Sequence, residues 1–179
     1  MSTPAQVQLM ARYNRWMNER LLEACARLEP AALSADRGAF FGSLLGTLNH
    51  LVVADTVWLH RFALHPARHP QLDPVRALPL PTALDQTVCE DLDTLRTRRA
   101  LLDDCIEHWC AALSEADLQH VLHYRSMKGV PVGRRLGNLL LHFFNHQTHH
   151  RGQATTLLSQ AGEDMGATDL LLLIPEDET

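Results

Sequence analysis

Four long stretches of this chain repeat apolar residues at intervals of three and four, and a proline-rich stretch separates the second from the third. That pattern predicts helices packed on one another rather than a sheet. The first helix is expected from about Pro4 to Leu28, with Met10, Tyr13, Met17, Leu21, Ala24 and Leu28 on one face and a stop before Pro30. The second starts near Gly42 and Ser43 and runs to about Leu64, its face reading Leu44, Thr47, Leu51, Ala54, Trp58 and Phe62. Between residues 65 and 81 stand Pro66, Pro70, Pro74, Pro79 and Pro81, so this stretch is expected to be an irregular crossover loop. Such a loop is long, which suggests that it packs over the helices or meets a partner.

The third helix is expected from Pro81 and Thr82, with Thr82 as its N-cap, to about Leu113. Its stripe is Leu84, Val88, Leu92, Leu95, Leu102, Ile106 and Trp109. Between Ser114 and Gly133 the period changes to two, and Lys128 with Gly129 can make a turn, so a short β-hairpin is expected before the fourth helix. That helix runs from about Arg134 to Gln160, closed by Gly162, and the apolar tail from Leu170 to Ile174 is expected to dock back on it. The fold class is therefore all-α, a four-helix bundle with a long crossover loop, forming a single domain over residues 1–179.

Composition narrows the function classes. The formal net charge is −5, and no basic stripe is present to neutralise a run of phosphates, which ranks nucleic-acid binding last. Cys25, Cys89, Cys105 and Cys110 form no CxxC pair and read as thiols of a reducing compartment. The N-terminal residues do not resemble a secretory signal, and no apolar run is long enough to span a bilayer, so a cytoplasmic location with no membrane partner is expected.

The chemistry concentrates in residues 141–153. His146 and His150 stand four apart, about 40° around a helix, so two imidazoles one turn apart can reach one cation. HExxH is absent, and with it the glutamate base of zinc proteases. Against the apolar arc of Leu136, Leu139, Leu140, Phe143, Ala154 and Leu157, His150 lies inside and His146 at the edge. His142 lies about 40° beyond that edge and His149 about 60° beyond it. His142 is then a cavity-lining or outer candidate, and Gln153, about 20° from His146, a neighbour of the ion.

A third ligand has to come from another helix, and His50, placed between Thr47 and Ala54 among core residues, is the best offer. His60, His108, His120 and His123 read as surface or hydrogen-bonded residues. His65 and His69 repeat the four-residue spacing, but the prolines around them forbid a regular helix, and no metal role is assigned to them. A di-iron reading fails because no Glu-x-x-His pair occurs in the chain.

The segments YNRWMNERLLEACARL, GSLLGTLNHLVVADTVWLHRF and LGNLLLHFFNHQTHHRGQATTLLSQAG resemble, in that order, the DinB/YfiT superfamily of bacterial four-helix-bundle proteins. The resemblance implies a divalent metal (zinc, nickel or iron) on three histidines, which match His50, His146 and His150 here. It also implies a homodimer, and an activity of the thiol-dependent transferase or isomerase type with a low-molecular-weight thiol as cosubstrate. A metalloenzyme of that type, or a hydrolase, acting on a small molecule is the leading expectation. A non-catalytic metal-binding stress-response protein is the alternative.

Overall fold

The computed structural model describes residues 2–176. The described residues are mostly helical, with one small two-stranded sheet. Among the described residues there are seven α-helices, α1 (Pro4–Cys25), α2 (Pro30–Ser34), α3 (Leu44–Phe62), α4 (Asp73–Arg76), α5 (Leu92–Ala112), α6 (Glu115–Gln119) and α7 (Leu136–Gln160). Strands β1 (Val121–Arg125) and β2 (Pro131–Arg135) pair antiparallel between α6 and α7, with His123 opposite Gly133. The hairpin turns through Gly129, whose φ of +76° is costly for other residues.

The four long helices close on one another in a ring. Helix α1 packs against α5 and α7, and α3 packs against the same two. Trp109, Phe62, Phe143, Leu21 and Leu44 fill the interior and are fully buried. Each end is fixed by local chemistry. Thr3 and Gln6 form a reciprocal cap at α1, and Ser43 accepts the Gly46 amide at α3. At the end of α7, Glu163 N–H donates to Leu158 C=O (3.0 Å) and Gly162 N–H to Ser159 C=O (3.1 Å). Gly162, at φ +86°, permits that closure.

Two expectations need correction. Helix α5 starts at Leu92, ten residues later than Thr82, because Asp91 is its N-cap and accepts the Thr94 amide at 2.8 Å. Leu84 is accordingly exposed, and residues 84–89 form a strap, a turn followed by irregular backbone, whose Val88 and Cys89 amides are bound by a side chain of α3. The crossover is also less irregular than its prolines suggest. Pro70 opens a 3₁₀ turn (Pro70–Leu72), and Pro74 lies in the first turn of α4, where a missing N–H costs nothing. Leu72 and Val75 are fully buried, so the crossover packs on the helices. The tail likewise returns: Leu170 and Leu173 pack against the core, while Leu171 and Leu172 face outward.

A buried polar network joins all four long helices. Asp55 of α3 pairs with Arg99 of α5 at 2.5 Å, and Arg99 pairs with Asp103 at 3.1 Å. Asp103 accepts from Asn18 (2.9 Å) and Asn14 (3.2 Å) of α1. From α7, Gln147 donates to Asp55 and Arg151 to Asn14. Two carboxylates face two guanidinium groups, so the charges balance within the core. The network also sets the register of α3 against α7, since Gln147 follows His146 and Arg151 follows His150.

No helix among the described residues is long and apolar enough to cross a membrane.

Candidate metal centre

Residues His50 of α3 and His146 and His150 of α7 come together: one ring nitrogen from each lies within 4.8 Å of the other two. The Nε2 atoms of His50 and His146 are 3.3 Å apart. Two nitrogen ligands on one tetrahedral ion, each bonded at about 2.0–2.1 Å, stand about 3.3–3.4 Å from each other. The spacing therefore suits a shared cation.

The tautomers suit it as well. His50 Nδ1 donates to the Leu84 carbonyl at 2.8 Å, and His150 Nδ1 donates to Gln153 Oε1 at 2.7 Å. With the proton held on Nδ1, the Nε2 lone pair of each ring is free for a cation. Burial keeps the rings neutral: it lowers the pKa of His50, of His150 and most strongly of His146, to about 3, where His150, His50, His142 and His149 add to the effect. No proton competes for these nitrogens near neutral pH.

Each ring is held by a different part of the fold. Asn49, next to His50, accepts the Val88 and Cys89 amides (2.9 Å each) and donates to the Cys89 carbonyl (2.9 Å). That grip lays residues 84–89 across α3 and brings the Leu84 carbonyl to His50. On the other side Phe41 stacks on His50, with ring centroids 4.0 Å apart and planes 17° apart. Phe41 reaches the site because Gly46 lets the preceding turn close on α3; a Cβ at Gly46 would stand 2.2 Å from the Phe41 carbonyl oxygen.

The sequence-derived neighbours divide. Gln153 touches a ring of the cluster, but as the acceptor for His150 rather than as a ligand. His142 stands at the rim, exposed, its ring 5.1 Å from that of Trp58 and 6.0 Å from that of His146. His149 is exposed beside His150, with ring centroids 4.8 Å apart. Phe41, Asn49 and the Leu84 carbonyl escaped the sequence reading. The apolar Phe40 and Phe41 just before a helix start were a faint signal for the first; nothing in the pattern marked the other two.

A helical ring with such a histidine group defines a class, and comparison with known proteins supplies it. The DinB family model matches residues 1–178, and the chain belongs to that family. It is similar to Protein DinB of Bacillus subtilis (strain 168), with 24% identity over 159 residues, covering 88% of this chain and 87% of that protein. No solved structure matches significantly.

Proposed function

We propose that this protein is a divalent-metal-dependent enzyme of the thiol-dependent transferase or isomerase type, or a hydrolase, acting on a small molecule. The helical ring is read as the family's four-helix bundle, and His50, His146 and His150 as the ligands of zinc, nickel or iron. The carrying observation is the set of three imidazoles from two helices, two of them with the second nitrogen already committed to a carbonyl oxygen. Three protein ligands leave room for a visiting group, and the half-burial of His146 and His150 gives it access. When bound, the ion would supply Lewis acidity that lowers the pKa of a thiol or water.

The chain's own residues hold and orient. Gln153 keeps the His150 proton on Nδ1, and the strap carbonyl does the same for His50. Phe41 shields one face of the His50 ring from water. The protein's own thiols are poor nucleophiles: all four cysteines are buried, and burial pushes Cys25 up to about 12 and raises Cys89, Cys105 and Cys110 too. A thiol nucleophile is therefore read as a cosubstrate. The test is turnover of small electrophiles with bacillithiol, mycothiol or glutathione by metal-loaded protein. Turnover that disappears in His150→Ala supports the reading; none with any thiol or with water contradicts catalysis.

The alternative, a non-catalytic metal-binding protein, is favoured by the nature of the surrounding groups. Phe41, His142, His149 and Gln153 meet the three rings, and none is a carboxylate poised as a base. We take a second copy of the chain as the protein partner. The surface proposed for it is the apolar groove between α1 and α7, lined by Met10, Leu140, Leu141 and Phe144.

A further inference from the structure

A second cluster lies beyond the other end of α3. From His50 to the end of that helix at Phe62 is about 18 Å along the axis, and His65 follows three residues later. His65, His69 and Asp117 each place one ligand atom within 4.8 Å of the other two. We propose that these three residues form a second site for a divalent transition ion of the zinc class, separate from the histidine group of α3 and α7.

Geometry carries the assignment. The Nε2 atoms of His65 and His69 both stand 3.8 Å from the same oxygen, Asp117 Oδ1. Both nitrogens are buried without a hydrogen-bond partner, on side chains that are 5% and 10% exposed. Buried polar atoms of this kind are normally satisfied, and two aimed at one carboxylate oxygen leave a gap that a cation fills. The carboxylate is already oriented: Oδ2 accepts the Ser114 amide (2.9 Å) and hydroxyl (2.6 Å), which turns Oδ1 to the imidazoles. Two imidazoles and one carboxylate are a donor set that zinc accepts, with a position left for water.

The backbone places the two histidines without a helix. Arg68, between them, has φ +48° and is the one non-glycine residue with positive φ among the described residues. That turn carries His69 back beside His65, with ring centroids 5.2 Å apart. Loading exacts one adjustment. His65 Nδ1 accepts the Ala67 amide at 3.2 Å, so the neutral ring carries its proton on Nε2. Cation binding moves that proton to Nδ1 and gives up this single contact. His120 flanks the site, its ring 4.6 Å from that of His65. An ion here would clamp the crossover to α6.

The test titrates the metal-free full chain with Co²⁺, counting equivalents by calorimetry and following the ligand-field spectrum. Wild type is expected to bind two equivalents, Asp117→Asn one, His146→Ala one and the double variant none. The asparagine oxygen can still accept from Ser114, so the cap at α6 survives. In the His146→Ala background, Zn²⁺ is expected to shift the ring ¹⁵N resonances of His65 and His69. Wild-type-like stoichiometry in Asp117→Asn, no shift of those resonances, or no Co²⁺ retained by His146→Ala would overturn the second site. One wild-type equivalent lost in Asp117→Asn but kept in His146→Ala would support it while removing the α3–α7 site instead.

Discussion

His50 and His146 present their Nε2 atoms to each other across 3.3 Å from two different helices. Burial makes that approach tolerable by holding His146 neutral, with its pKa lowered from 6.5 to about 3. In the metal-free protein the unfolded chain takes up this proton as pH falls through 6.5, whereas the folded chain resists until about 3. The neutral ring's contribution is therefore complete above pH 6.5 and lost as pH falls through that window. Urea midpoints of metal-free wild type are expected to drop between about pH 7 and pH 5. The drop should be smaller in His146→Ala; equal drops would show that the ring is not held neutral by the fold.

Asn49 governs the same site from outside it. Asn49→Ala releases residues 84–89 and with them the carbonyl that orients His50. Metal affinity is expected to fall by about 10–100-fold, the usual effect of losing an orienting partner. Competition with a chromophoric chelator measures this, and unchanged affinity would mean that the strap does not position the ring.

The Asp55–Arg99 pair predicts a different kind of loss. Asp55→Ala leaves the Arg99 guanidinium buried with half its compensation and strips Gln147 of its acceptor. A cost of about 3–5 kcal/mol is expected in chemical denaturation. Arg151 should lose order too, since α7 is tied to α3 through this network, and metal affinity should weaken with it.

Gly46→Ala tests the aromatic lid. The new methyl meets the Phe41 carbonyl, so the turn must open and Phe41 must leave the face of His50. The helix itself gains propensity from alanine, so far-UV circular dichroism should keep its helical signature. The ring-current shift on the His50 protons should disappear; a shift that persists would place Phe41 elsewhere.

Leu141→Glu addresses the proposed self-association. Leu141 is 57% exposed on the groove between α1 and α7, where a charge costs the isolated chain little. The variant is expected to be monomeric by light scattering while wild type is dimeric. Two dimers would move the partner surface away from this groove, and a monomeric wild type would contradict the self-association itself.

The periodic positions made the long helices legible. Leu44, Leu51 and Phe62, or Leu136, Leu140 and Phe143, recur at helical spacing and are all buried. The same count placed His146 and His150 together, because a helix turns by a fixed angle. Elsewhere side chains override periodicity. Leu84 and Val88 fit a helical stripe, yet Asn49 captures the backbone around them and Asp91 starts α5 later. Prolines exclude a helix at His65 and His69, yet a left-handed Arg68 brings the rings together by another route. Asp117 joins them from about fifty residues away, a separation that no local pattern expresses.

The most direct measurement is the metal content of purified protein in the Asp117→Asn background, which silences the second cluster. The parent is expected to hold one divalent ion per chain, with His50→Ala, His146→Ala and His150→Ala each holding none while remaining folded. One ion retained in all three folded variants would contradict a centre built from these imidazoles.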